Sequence, residues 1–158
     1  MTATYKQLVE AANAVVPKIS GKEAIEMAAK GAVVVDVRDS AELAQTGKIA
    51  GALHIPRGSM ELKADQSLPS AEKALAGDKT IILHCGAGGR AALAGKLLKE
   101  MGYQKVFNLG GFKDWVEAGC KVVINGRNAE RGKAAAATLG AHFIAADAAK
   151  DADRERLF

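Results

Sequence analysis

The stretch Thr80-Ile-Ile-Leu-His-Cys85-Gly-Ala-Gly-Gly-Arg90-Ala-Ala-Leu-Ala leaves this chain few folds to choose from. An apolar run of strand length ends in a cysteine, a loop of glycine and alanine follows, and a helical pattern opens near Arg90. Glycines let successive main-chain N–H groups turn inward with no Cβ in the way. The helix adds the positive end of its dipole to the same spot. A thiol placed there is expected to sit largely as the thiolate near neutral pH, a reactive nucleophile.

The remaining elements follow from periodicity and caps. Residues 4–16 read as an amphipathic helix with Tyr5, Leu8, Val9, Ala12 and Val15 on one side, ended by Pro17. Ser20 to Glu23 is a capping box for a second helix, closed at Lys30-Gly31. Ala32–Val37 is a β-branched run expected to be buried on both faces. Asp39 to Glu42 caps a third helix ending near Gly47, and Ala52–Ile55 is a short strand stopped by Pro56. Residues 57–69 read as an irregular loop, and Ser70 caps a helix over 71–76. Ile81–His84 is a strand. The helix over 90–101 is expected to turn Leu93, Ala94, Leu97, Leu98 and Met101 to the core, with Gly102 beyond its end. Lys105–Leu109 is a strand broken by Gly110-Gly111, and 112–118 is a short helix carrying Trp115. Strands alternating with helices predict a three-layer α/β fold around a parallel sheet of about five strands.

Composition shifts after Gly119. Lys121–Asn125 reads as a strand, Asn128 to Gly140 as an alanine-rich helix, His142–Ala146 as a strand, and 147–158 as a polar tail. This β-α-β extension, 120–158, is too small to be an independent domain, so residues 1–119 are expected to carry the core. It is expected to extend the main sheet or to pair with a second chain, a homodimer through the extension being one arrangement this allows.

At 158 residues with net charge +4, the chain carries too small and too scattered a basic excess for nucleic acid, while a mild positive bias suits a small anionic substrate. Two cysteines, Cys85 and Cys120, make neither a disulfide framework nor a metal site, and no metal is expected. No apolar run is long enough for a membrane span, and the start lacks a signal-peptide pattern, so the reducing cytoplasm is the expected compartment.

Four ordered segments resemble a known family. They are Asp36-Val-Arg38-Asp39 with Glu42; Gly47-Lys-Ile-Ala-Gly51-Ala-Leu-His54-Ile-Pro56; Cys85-Gly-Ala-Gly88-Gly-Arg90; and Leu109-Gly-Gly-Phe112-Lys-Asp-Trp115. Residues 19–119 resemble a rhodanese domain, the fold of thiosulfate sulfurtransferases. Lys48 stands where that family often has His, and Ala91 where a Ser is common. The resemblance implies a sulfurtransferase that moves a sulfane sulfur from a donor such as thiosulfate to cyanide or a thiol through a Cys85 persulfide. Cys85 and Arg90 would be catalytic, with Arg90 bracing the loop. Gly86, Ala87, Gly88 and Gly89 would bind the anionic sulfur, with Arg57 at the mouth. Asp36 and Arg38 would be structural support, and His54 and His84 hydrogen-bonded core residues. Met60 and Leu62 would rim the pocket or pack the loop. The alternative is a rhodanese-like module that binds a protein partner without catalysis. Related phosphatases and arsenate reductases place five residues between Cys and Arg; here there are four, a tighter ring that suits one sulfur better than a phosphoryl group.

The extension also resembles part of a short-chain dehydrogenase, from Lys121 through Arg127 and Arg131 to Asp147. The glycine-rich first turn and the Tyr-x-x-x-Lys pair of that family are missing, so no cofactor is expected.

Overall fold

In the computed structural model, which describes residues 2–119, 122–126, 129–139 and 142–145, strands and helices alternate as predicted. The strands are β1 (Val33–Asp36), β2 (Lys48–Ile49), β3 (Leu53–His54), β4 (Ile81–Cys85), β5 (Val106–Gly111), β6 (Val122–Gly126) and β7 (His142–Ala145). The α-helices are α1 (Tyr5–Asn13), α2 (Gly21–Ala29), α3 (Ser40–Thr46), α4 (Met60–Ala64), α5 (Gly89–Glu100), α6 (Phe112–Glu117) and α7 (Ala129–Leu139). The central sheet has the order β3-β1-β4-β5 and every pair is parallel. Lys18 adds a parallel bridge to Asn108, outside β5, so the sheet carries four strands and the start of a fifth.

The buried strand β4 divides two cores. Val35, Ile81, Leu83 and Cys85 face Val16, Met60, Leu75, Ala94 and Leu98. Val34 and Ile82 face Ala24, Ile49, Leu109, Phe112 and Trp115. The Ser20 capping box forms with Glu23, and the Glu42 carboxylate accepts the Asp39 N–H at 3.1 Å.

Several expectations are corrected. Residues 57–64 are not irregular: a 3-10 turn over Arg57–Ser59 leads into α4, because fully buried Met60 and nearly buried Ala64 give this segment a helical apolar face. Met60 is therefore core rather than rim, while Leu62 is exposed. The helix expected over 71–76 is a 3-10 turn, Lys73–Leu75, capped by the Glu72 side chain instead of Ser70. Gly110 and Gly111 do not break β5; after a register shift they pair with His84 and Cys85. The buried side of α5 is its small residues, Ala91, Ala92, Ala94 and Gly95, with Leu98, whereas Met101 is exposed. Small residues win there because the chain just after α1 runs close alongside: a Cβ on Gly95 would stand 2.8 Å from Val16 Cγ1. Likewise α1 turns Ala12 inward and leaves Tyr5 and Leu8 exposed, as is Val15 just beyond its end.

The extension does not lengthen the parallel sheet. β6 pairs antiparallel with β2, Lys48 opposite Val123 and Ile49 opposite Val122, and β7 pairs parallel with β6. A separate sheet of order β2-β6-β7 results, alongside α3. Cys120, Lys121, Arg127, Asn128, Gly140 and Asp147, singled out in the sequence, lie outside the described residues.

Candidate active site

β4 ends on Cys85 and the chain turns through Gly86, Ala87 and Gly88 before α5 begins at Gly89. Gly88 makes the turn possible. Its φ of 92° lies where an L side chain is strained, and a Cβ there would stand 3.0 Å from Gly110 Cα. This conformation directs the Gly88 N–H back onto the cysteine, and it donates to Cys85 Sγ at 3.0 Å. The first turn of α5 leaves further N–H groups without intrahelical acceptors and brings the positive end of the helix to the sulfur. Cys85 lies deeper than a nucleophile presented on a rim: it is 2% exposed, beneath exposed Gly86 and Ala87.

Arg90 sits above this loop in a carboxylate fork. Its Nη1 donates to Glu42 Oε2 at 2.6 Å and to Asp39 Oδ2 at 3.2 Å, and its Nη2 donates to Glu42 Oε1 at 2.7 Å. The Arg90 hydrogen bond holds the Glu42 carboxyl down at about 2, so it stays ionised through the neutral range. Glu42 in turn raises the guanidinium above its ordinary value, with smaller electrostatic help from Cys85 and Asp39. A Cβ on Gly86 would lie 3.5 Å from both Arg90 Nη2 and Glu42 Oε1. The fork therefore lies close over the first residue of the loop. The sequence marks Glu42 as a cap and as part of the first family-like segment; its pairing with Arg90 needs the tertiary approach of α3 to α5.

On the other face of β4 the polar groups are side chains. Arg38 is 2% exposed and Asp36 1%. Arg38 Nη2 donates to Asp36 Oδ2 at 2.6 Å and its Nε to Oδ1 at 2.9 Å, while the Arg38 main-chain N–H donates to Asp36 Oδ1 at 3.0 Å. The rest of the guanidinium reaches the end of α3, at Thr46 Oγ1 (2.7 Å) and the Gly47 carbonyl (2.9 Å), and it stacks 4.2 Å from the Phe112 ring centre. Asp36 and Arg38 thus tie β1 to α3. His54 Nε2 is 2.8 Å from the Arg38 carbonyl, hydrogen-bonded as expected, but the ring is half-buried rather than in the core. His84 differs from expectation: fully buried between Phe112 and Trp115, it makes no hydrogen bond among the described residues, and Asp36 Oδ2 is 3.6 Å from its Nε2. Burial pushes it down to about 4, against Asp36, which favours the charged form, and with Arg38, which opposes it. Lys48 is buried as well, its Nζ donating to the Ala52 carbonyl at 3.3 Å; burial lowers it while Asp36 raises it.

Arg57 is engaged along its own segment. Its Nη1 donates to Glu61 Oε1 at 3.1 Å, one turn along its own segment. Sequence reasoning passed over Asn108 altogether. It is 2% exposed; its Nδ2 donates to the Gly88 carbonyl at 3.2 Å and to Asn13 Oδ1 at 3.3 Å, and its Oδ1 accepts the Gly110 N–H at 2.9 Å. The signal available was one amide between Phe107 and Leu109 in a strand of a parallel sheet, where a buried polar group must find partners.

A family model described as the rhodanese-like domain matches residues 20–118. The human thiosulfate:glutathione sulfurtransferase is 37% identical over 109 residues, spanning 64% of this chain and 94% of that protein. The solved human single-domain sulfurtransferase superposes with a TM-score of 0.55 at 34% identity, covering 65% of this chain and 96% of the other. A Rhodopseudomonas palustris structure superposes with a TM-score of 0.71 at 32% identity, covering 77% of this chain and 96% of the other; it is described as a protein of unknown function and possible tyrosine phosphatase.

Proposed function

The chain belongs to the rhodanese-like domain family, and from that membership and the geometry at Cys85 we propose a sulfurtransferase that carries sulfane sulfur as a Cys85 persulfide. Its relatives support sulfur transfer at the family level. The observation that carries the finer reading is the Gly88 N–H on Cys85 Sγ at 3.0 Å, at the mouth of α5. A main-chain donor and a helix terminus favour sulfur as an anion and need no reorganisation when charge moves along it.

The Cys85 thiolate attacks the outer sulfur of a donor such as thiosulfate. The new bond joins Sγ to that sulfur, the donor's S–S bond breaks, and its electron pair leaves with sulfite. The enzyme then holds Cys85–S–S⁻. A thiolate acceptor, or cyanide in an assay, attacks the outer sulfur and leaves as a persulfide or thiocyanate, returning the Cys85 thiolate. One covalent intermediate shared by two half-reactions gives ping-pong kinetics. Arg90, neutralised by Glu42 and Asp39, braces the loop and does not contribute a free positive charge. Gly86, Ala87 and Gly89 supply main-chain donors, and Arg57 attracts anionic donors once released from its exposed pair with Glu61.

The phosphatase description of the Rhodopseudomonas palustris neighbour makes loop length the point to weigh. Four residues separate Cys85 from Arg90, a ring scaled to one sulfur. The test is thiocyanate formation from thiosulfate and cyanide, with Cys85→Ser as control. We expect turnover in the wild type and a loss of at least about 1,000-fold in the variant. Equal rates in the two would reject the reading, and phosphate release from an aryl phosphate by the wild type alone would replace it with the phosphatase one.

A further inference from the structure

We propose that Asn108 is a positioning residue for the persulfide: it fixes the Gly88–Gly89 peptide so that the Gly89 N–H serves the outer sulfur, while the Gly88 N–H serves Sγ. The proposal rests on the persulfide reading above and adds a division of labour within the loop.

In a trans peptide the carbonyl and the N–H point in opposite directions. The Gly88 carbonyl and the Gly89 N–H belong to one peptide, so holding the first aims the second. The carbonyl is held twice, by Asn108 Nδ2 at 3.2 Å and by the Ala92 N–H at 2.9 Å. The Ala92 bond is the first rung of α5 and would form at any helix start. The Asn108 bond comes from the neighbouring strand and fixes the rotation of the peptide about the helix axis.

Asn108 is itself held in one orientation. Its oxygen must accept, because the Gly110 N–H faces it at 2.9 Å. Its nitrogen must donate, because the Gly88 carbonyl and Asn13 Oδ1, at 3.3 Å, face that side. A flipped amide would lose all three bonds. Asn13 belongs to α1, which precedes residues 20–118 of the family match, so the N-terminal helix reaches the loop through this amide.

The Gly88 N–H is already engaged by Sγ at 3.0 Å. The Gly89 N–H is the next donor along the chain, at the first residue of α5, where no intrahelical acceptor exists. Sulfur added to Sγ carries the negative charge of the persulfide to the outer atom. A donor aimed by Asn108 then matters to the loaded enzyme and little to the free thiol.

That difference is what the experiment reads. Wild type and Asn108→Ala are compared in two assays: alkylation of unloaded Cys85 by iodoacetamide, and sulfur transfer from thiosulfate to cyanide, with the persulfide followed by the mass of one added sulfur. We expect alkylation within about twofold of wild type, kcat down about tenfold, and faster loss of the added sulfur. Asn13→Ala, at an exposed position, should shift the transfer assay the same way by no more than about threefold. If Asn108→Ala fails to fold, Asn108→Ser carries the test, since its hydroxyl is too short to reach Gly88. Parallel loss of alkylation and transfer would make Asn108 a support of the fold only, and unchanged transfer would remove its role. A wild type that never gains a sulfur would overturn the persulfide reading itself, and this proposal with it.

Discussion

His84 and Cys85 leave the same strand on opposite faces, and the two faces manage charge by opposite means. On the Cys85 face the group touching the sulfur is main chain, the Gly88 N–H. On the His84 face the charges are side chains sealed from water: Asp36 and Arg38 clasp each other, and His84 lies against them without a hydrogen bond. A main-chain cradle can accept an anion that comes and goes, because its dipoles are fixed by the fold and carry no net charge that needs a permanent partner. A buried ion pair cannot lose a member without leaving a bare charge. The first arrangement suits chemistry, and the second suits anchoring α3, which carries Glu42 to Arg90.

The largest expected effect tests the anchor. Arg38→Met leaves the Asp36 carboxylate buried without the guanidinium that clasps it, and should cost about 3–5 kcal/mol of stability. For a chain of this size that lowers Tm by about 10 °C. Adding Asp36→Asn should recover part of the loss, because the carboxylate that lost Arg38 is then neutral. A double variant less stable than the single one would show that the pair contributes more than mutual neutralisation, and would break the contrast between the faces.

The two faces also differed in how far the sequence disclosed them. The cradle was legible because its signals are local: a strand-length apolar run, Cys85, glycines and the start of a helix are contiguous, and Gly88 adopts the backbone only glycine tolerates easily. The parallel sheet was legible for the same reason, from β-branched runs and from caps such as Ser20 with Glu23. The Asn108 clamp and the Glu42 fork were not, since each joins residues far apart in sequence, Asn108 with Gly88 and Glu42 with Arg90. Residues 57–64 were misjudged because Met60 and Ala64 gain their buried surroundings from the rest of the fold. The docking of β6 on β2 escaped notice because a two-residue strand, Lys48–Ile49, gives no periodicity to read.

The next effect sharpens the contrast through acid stability. His84 is pushed down from 6.5 to about 4 by burial, so between those values the unfolded chain binds a proton that the folded one refuses. Its contribution is complete above pH 6.5 and falls away as the pH drops toward 4. At about 1.4 kcal/mol per pH unit the upper limit is about 3 kcal/mol. Thermal melts from pH 7.5 to 4 should show this slope in wild type and lose most of it in His84→Leu. A slope of the same size in the variant would exclude His84 as its source.

The smallest effect belongs to the fork over the loop. Glu42 is held down from 4.5 to about 2, first by its hydrogen bond from Arg90, so its contribution is present above pH 4.5 and lost as pH falls through 2. The pair is partly open to water, Glu42 being 36% and Arg90 32% exposed, and solvent screening limits its worth to about 1 kcal/mol. Glu42→Gln should therefore leave Tm at pH 7 nearly unchanged, within about 3 °C. The same variant frees the Arg90 guanidinium from its strongest partner, directly over Gly86. Its imprint should appear in catalysis as a lower KM for an anionic donor, which now meets an uncompensated positive charge, together with a lower kcat, because the loop has lost its brace. Steady-state kinetics with thiosulfate at low and high salt separate the two, since only the KM change is screened by added ions. A stability loss as large as that of Arg38→Met would instead place the fork among the buried anchors and erase the distinction between the two faces.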